Sequence, residues 1–416
     1  MTELEALSPE LRDRLGALGG SEVVFAMPMV TTADGLRDAA VRVRHAIEGL
    51  APGPRAVLVH PDGGMPEPAG PLGEDGPALL PFPIWPVDRL QPPGHDHALA
   101  ETYRAVFQVC SLTGARGCVL LGSDPATLAP NALRHLIQPV LEQHLDLVTP
   151  CYLRRRFEGL LLSAVVAPMT RALYGQRILF PIGADFGFSA RLVEQQLRPV
   201  PPGRGGIPVW LASDAMCAGL QVGQARLGIP LPAQKEPPEV SAVVAQVLGP
   251  LFLEIERNAA CWQRVRGSQP VPTFGAGPAA PAEEPGAVDV SRMIETFRLG
   301  YRNLQDVWSA VLPPATLVEL KRLTALDPAD FRLPDPVWTR IVYDFALAHR
   351  MRIMSRDHLL KAMTPLYLAW VASFATEVGT AAAVAVEYRL ERLGAAYEAQ
   401  KPYFVSRWRW PDRFQP

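Results

Sequence analysis

Cysteine is scarce: the 416 residues hold five, at Cys110, Cys118, Cys151, Cys217 and Cys261. No two form a CxxC pair, which argues against a zinc knuckle or a thioredoxin-like motif. A dispersed, odd-numbered set with apolar flanks suits a reducing cytoplasm. Excess charge is also missing. The formal net charge is -2, which argues against a nucleic-acid partner held mainly by electrostatics. No run reaches the roughly 18 uncharged apolar residues of a membrane-spanning helix. The nearest, Ala362 to Thr376, contains Pro365 and reads as a buried helix. The opening MTELEALSPELRDRLGALGG has no apolar stretch of the signal-peptide kind. Histidine is thin too: beyond residue 200 only His349 and His358 occur.

Apolar residues make up 48% of the chain and proline is abundant at 43 residues. The length suggests two domains. Proline concentrates in 52–93, 199–208 and 230–238, which are not helical, because interior proline removes a helix hydrogen bond and clashes with the preceding turn. Residues 22–30 (EVVFAMPMV) read as a strand. Thr32 or Asp34 then caps a helix with apolar Leu36, Ala39, Ala40, Val43 and Ile47. Ala56 to His60 is a second strand that runs into Pro61-Asp62-Gly63-Gly64. LLPFPIWPV suits an edge strand. A helix over 97–112, a strand GCVLL (117–121), a helix over 130–142 and a strand over 145–150 follow. Strands alternating with helices predict an α/β layer with a mostly parallel sheet. Ligands in such sheets bind beyond the carboxyl ends of the strands, where Asp62 and Asp124 stand. The Pro/Ala/Gly-rich stretch 266–290 reads as a linker. Beyond it the pattern is helical, with helices over about 337–352, 356–376 and 380–399. The expected domains are 1–265, then the linker, then 291–416.

The order AMPMV, HPDGG, GHDHAL and GSD is similar to the nucleotide-binding half of family-2-type glycosyltransferases. Pro168 to Ser189, PMTRALYGQRILFPIGADFGFS, sharpens the likeness. It resembles the PLTRALYG…PIGGDFGLS stretch of bacterial glucosylglycerate and mannosylglycerate synthase-like enzymes. VWTRIVYDFALAHR (337–350), HLLKAMTPLYLAWVASF (358–374) and KPYFVSRW (401–408) look like the helical domain of that family. The resemblance implies a GT-A fold with a helical C-terminal domain. It implies a hexosyltransferase that takes a nucleotide-sugar donor and a small hydroxylated acceptor such as glycerate. It also implies a divalent cation, Mg2+ or Mn2+, bridging the donor phosphates; such hard cations prefer oxygen ligands.

Residue by residue, Asp62, Gly63 and Gly64, with Pro28 of the first strand, are expected at the donor nucleotide. The bare sequence reading of Pro-Asp-Gly is a turn. Asp124 matches the last aspartate of the family's metal motif, though it also reads as a cap ahead of Pro125. Gly122 stands where the first metal aspartate is expected, and Pro232 where relatives carry a metal-binding histidine. Pro208 replaces the acidic residue ahead of the VW segment. Asp214 stands in for it or caps a helix. These replacements leave the cation weakly held or absent. They also open a second reading, a catalytically degenerate relative acting as a binding or scaffold protein. Asp185 is expected at the reacting sugar, with Ala184 in place of the family's second glycine. Arg171, Tyr174 and Arg177 flank the same loop; Arg171 and Tyr174 join Asp185 as the expected catalytic residues, since arginine grips phosphate or carboxylate, as an acceptor such as glycerate would need, in two-pronged fashion. Arg154-Arg155-Arg156 reads as exposed charge. His95-Asp96-His97 is a weak metal candidate. Trp338, Tyr343, Phe345, Tyr367, Trp370 and Phe374 recur at helical spacing and read as core. His358 and Lys401 remain minor candidates. An apolar face on the terminal helices would suit a homodimer.

Overall fold

A computed structural model describes residues 9–17, 20–30, 32–50, 54–61, 78–82, 96–128, 131–198, 209–231, 239–276, 288–379 and 381–411. Two compact units emerge. The first comprises 1–153, 180–233 and 271–278; the second 154–179, 234–270 and 279–416. Arg154–Leu179 and Gln234–Pro270 begin ahead of the Pro/Ala/Gly-rich stretch in sequence, yet they cluster with the helical unit.

The first unit is built on strands β1 (Val23–Ala26), β2 (Ala56–Pro61), β3 (Ala78–Phe82), β4 (Gly117–Leu121) and β5 (Leu147–Leu153). The second unit contributes a two-residue strand, β6 (Gln176–Arg177). The first resumes with β7 (Asp185–Ser189) and β8 (Val222–Pro230). Last come β9 (Gln269–Pro270), which pairs with β6 in the second unit, and β10 (Thr273–Phe274) in the first. Eight of these form one sheet in the order β10-β8-β5-β7-β4-β1-β2-β3. β3 is the edge strand expected from LLPFP.

Every pairing in this sheet is parallel except those of β7, which runs antiparallel to both β4 and β5. Seven strands therefore point one way, and β7 starts at the edge where they end. The expectation of a mostly parallel α/β sheet holds. The strand over 185–189 is an addition to it, because GADFGFS gives no alternating pattern long enough to read.

The flanking helices form for local reasons. Thr32 caps helix Ala33–Ile47, its hydroxyl accepting from the Gly35 N–H at 3.1 Å. Leu36, Ala39, Ala40 and Val43 are buried along one side, as the period-3.6 pattern requires. Helix Asp96–Leu112 contributes Tyr103 and Phe107 to an aromatic cluster with Phe186 and Phe188 of β7. Phe107 and Phe188 meet edge to face at 5.2 Å. This cluster packs beneath the antiparallel strand.

The second unit is helical. Helices Val290–Asn303, Gln305–Val311, Pro314–Thr324 and Asp335–Met351 are followed by Arg356–Ala362, Thr364–Val378 and Ala383–Arg409. The helix expected over 356–376 is two, broken at Met363 ahead of Thr364-Pro365. Part of the expected linker is strand, since β9 and β10 fall inside it.

The tryptophans are core, as their spacing predicts: Trp338 and Trp370 are fully buried and stack at 6.1 Å. A π-turn over Leu162–Val166 leaves the Ala164 carbonyl open to outside donors. Trp338 Nε1 and Tyr397 Oη both donate to it, at 3.1 and 2.8 Å. Among the described residues no helix is long and apolar enough to cross a membrane.

Candidate functional site

β4 ends at Leu121 and passes into Gly122-Ser123-Asp124-Pro125. Leu121 pairs with Asp185, the first residue of β7. The Asp185 carboxylate thus lies directly beside the turn that carries Asp124. It is 0% exposed. Its Oδ1 accepts the Ser123 N–H at 2.9 Å. Its Oδ2 accepts the Ser123 hydroxyl at 2.7 Å and the Tyr152 hydroxyl at 2.6 Å. The Tyr152 oxygen in turn accepts the Ala184 N–H at 3.0 Å. Burial pushes the Asp185 carboxyl up from its ordinary range, while the Ser123 and Tyr152 hydrogen bonds pull it back. Burial also raises the Tyr152 hydroxyl, and the neighbouring Asp185 charge raises it further.

Asp185 was expected at the reacting sugar. The structure instead seals it beneath the edge, where it ties together β4, β5 and β7. A carboxylate with three donors and no exposure cannot meet a ligand directly without opening the latch. Ser123 and Tyr152 were not singled out in the sequence. Ser123 is the middle residue of GSD, but Tyr152 left no local sign of its partner 33 residues away.

Asp124 is exposed. Its Oδ1 accepts the Ala126 N–H at 2.9 Å, capping the 3-10 turn Pro125–Thr127. The capping alternative is therefore realised, and the second carboxylate oxygen is not used by the cap. Pro28 is buried just beyond β1. Asp62, Gly63 and Gly64 follow the end of β2 but lie outside the described residues, as do His95, Pro208, Pro232 and the side chains of Asp96 and His97.

Gly122 leaves no room for a side chain at this point of the edge. A Cβ there would sit 2.9 Å from both the Cβ and the carbonyl oxygen of Ala184. The Gly122 N–H donates to that same carbonyl at 2.9 Å, which holds the two backbones close. Any side chain at 122 must displace Ala184, both its methyl group and its backbone carbonyl. Among the described residues no group of three histidine, cysteine or acidic side chains could hold a metal ion. Asp124 supplies one carboxylate, and a divalent cation held there would take its remaining oxygens from phosphates and water.

Asp214 does not cap a helix. It lies inside Val209–Cys217, where its Oδ2 accepts from Gln196 at 2.9 Å. The helix begins earlier than LASDAM suggests because Val209-Trp210-Leu211 joins it.

Arg171 and Tyr174 belong to the second unit, on helix Ala167–Tyr174, and both are 7% exposed. Arg171 is held by two glutamates of the last helix, Glu391 at 2.7 Å and Glu398 at 3.1 Å. Arg177 lies 3.6 Å from Glu391 and donates to Ser268 at 3.0 Å. Lys401 donates to the carbonyls of Leu173 and Val265 at 3.1 and 2.9 Å, and burial lowers its amine to about 8. Both basic side chains thus clamp helix Ala167–Tyr174 to the C-terminal helix. Of the arginine triplet, Arg155 is exposed as expected, while Arg154 donates to Ser163 at 2.5 Å and Arg156 to the carbonyls of Gly379 and Ala381.

No family model matches the chain, and no curated protein does. Solved structures of glucosyl-3-phosphoglycerate synthase from Mycobacterium tuberculosis are similar to it. The complex with phosphoglyceric acid is 18% identical over 62% of this chain and 86% of the other, with a TM-score of 0.34. The complex with Mn2+, uridine diphosphate and phosphoglyceric acid is 18% identical over 59% and 82%, at 0.36. The complex with Mg2+ and uridine diphosphate is 19% identical over 59% and 83%, at 0.34. A likeness this slight carries no argument about the present chain.

Proposed function

We propose that the chain is a GT-A-type glycosyltransferase. In this reading the α/β unit holds a nucleotide-sugar and passes its hexose to a small hydroxylated acceptor such as glycerate. The observation that supports it most is the edge described above. Seven strands end there, and the exposed Asp124 stands on a turn pinned by the buried Asp185. Ligands of open α/β sheets bind at such edges.

In the transfer, an acceptor hydroxyl oxygen bonds to the anomeric carbon as the bond to the diphosphate oxygen breaks. The nucleoside diphosphate leaves with the electron pair, and the hydroxyl proton passes to a base or to solvent. Much of the rate comes from positioning. Asp62, Gly63, Gly64 and Pro28 are assigned to the nucleotide, and Asp124 to the diphosphate side. Asp185 is a positioning residue acting through Ser123. Arg171 and Tyr174, the other expected catalytic residues, stand on helix Ala167–Tyr174 of the helical unit. The charge of the leaving diphosphate would be met by a divalent cation at Asp124, with phosphate and water oxygens completing its shell, or by hydrogen-bond donors in its place. A cytoplasmic location and a homodimer belong to the same proposal.

The close contact of Gly122 with Ala184 favours one second reading, a relative that keeps donor binding without turnover. Calorimetric titration with UDP-glucose and GDP-mannose, each with and without Mg2+ or Mn2+, tests both. Saturable binding of one donor, followed by sugar transfer to glycerate, supports the transferase. Donor binding without transfer to any small hydroxy acid supports the second reading. Absence of binding in every condition overturns both.

A further inference from the structure

Within the helical unit a cavity of about 60 Å³ opens between helix Asp335–Met351, the end of helix Gln305–Val311 and the C-terminal helix. Its walls are apolar, with Val311, Leu347, Met351 and Ile353 among them. The Asp344 carboxylate and the Arg407 guanidinium supply its charged groups. Asp344 is 1% exposed and Arg407 8%.

The hydrogen bonding of Asp344 is short of donors. Its Oδ1 lies 3.1 Å from Arg407 Nε and 2.9 Å from the Tyr403 hydroxyl. Its Oδ2 lies 3.0 Å from the same Tyr403 hydroxyl. One hydroxyl carries one hydrogen, so among the described residues two oxygens share that hydrogen and the ion pair to Arg407, where a buried carboxylate accommodates about four donors. A buried acceptor left short is costly, and this one lines a cavity. The perturbed state of the group agrees: burial lifts the Asp344 carboxyl to about 7, against the pull of Arg407, Tyr403 and Arg340.

We infer that this cavity is a binding site for a small uncharged hydrogen-bond donor with a short apolar tail, an alcohol or a primary amide, received by Asp344. Size sets the tail: at about 10–15 Å³ per water-sized probe, the cavity has room for about four to six non-hydrogen atoms. Charge sets the head. A cation reaching Asp344 would also face Arg407, which already neutralises the carboxylate; an anion would face the carboxylate. A neutral N–H or O–H satisfies Oδ2 and adds no charge, while four apolar side chains shed water around the tail. The inference does not depend on the transferase reading.

Propionamide is the probe, titrated into the full chain at pH 8 with methyl resonances of Leu347 and Met351 observed. Propionate and propylammonium serve as charged controls of the same size. The expected result is saturable millimolar binding of propionamide and at least tenfold weaker binding of both controls. Ala348→Met fills the cavity with an apolar side chain and should abolish binding with the fold retained. Asp344→Asn should weaken binding at least fivefold; where that variant fails to fold, Ala348→Met decides. Tighter binding of propylammonium would overturn the charge argument. Linear, unsaturable shifts with propionamide, as a cavity holding only water would give, would overturn the site.

Discussion

Ser123 and Asp185 are joined twice, the N–H and the hydroxyl of the serine each donating to the carboxylate, at 2.9 and 2.7 Å, across 62 residues of chain. The pair fixes the turn that carries Asp124 to the one antiparallel strand of the sheet. Tyr152 closes the latch from β5.

Removing the serine hydroxyl leaves a buried carboxylate oxygen with one donor fewer. Ser123→Ala should therefore cost about 1–3 kcal/mol, read as a lower urea midpoint with an unchanged slope. Tyr152→Phe should cost a similar amount, and the two losses should not add, because both act on the same carboxylate. Additive losses would show that the three groups do not act as a unit.

Asp124 has two separable duties, a cap and a proposed donor contact. Asp124→Asn keeps an oxygen for the Ala126 N–H and should leave stability within about 0.5 kcal/mol. Asp124→Ala loses the cap as well, at about 1 kcal/mol. Both should lower affinity for the nucleotide-sugar at least tenfold in calorimetry. Loss in the alanine variant alone would reduce Asp124 to a cap.

Gly122→Asp should be destabilising by about 1–3 kcal/mol, because the new Cβ overlaps Ala184. In an Ala184→Gly background the cost should fall, since the nearest side-chain atom is gone, although the carbonyl contact stays. The double variant gains a carboxylate two residues from Asp124, and Mn2+ affinity measured by electron paramagnetic resonance should rise. Equal destabilisation in both backgrounds would show that the two positions are not matched.

Arg171 stands between two glutamates and against Gly394, where an added Cβ would come within 2.7 Å of its guanidinium. Gly394→Ala should displace the guanidinium and destabilise the chain by about 1–3 kcal/mol. Arg171→Met should cost a comparable amount, less in a Glu398→Gln background, where one stranded charge is removed. Thermal unfolding of the four variants gives the coupling directly.

The pH dependence of stability should carry the mark of Asp344. Its carboxyl is raised from 3.8 to about 7 in the folded chain, so the native state holds the proton more tightly than the unfolded state. Stability from this group is greatest below about pH 4 and declines as pH climbs to about 7, beyond which the loss is complete. Asp344→Asn should flatten that part of the profile. An unchanged slope between pH 4 and 7 would assign it to other groups.

Much of this was legible in the chain before folding. The alternation of apolar strands with period-3.6 helices determined an α/β layer followed by helices. The cap at Thr32, the cap at Asp124 and the burial of Trp338 and Trp370 follow from local rules of the same kind. Each depends on residues within a few positions of one another, so each leaves a pattern in sequence.

Tertiary structure alone decided the rest. The strand character of β7 comes from pairing with β4 and β5, not from its five residues. Asp185 looked like a group offered to a substrate, and only the approach of Ser123 and Tyr152 made it a buried tie. Only the fold brings Glu391 and Glu398 to Arg171 and two carbonyls to Lys401. The fit of Gly122 to Ala184 is likewise invisible along the chain. The physical reason is common to all four: hydrogen bonds, ion pairs and steric contacts between residues tens to hundreds of positions apart depend on distance in space, and spacing in sequence does not encode it.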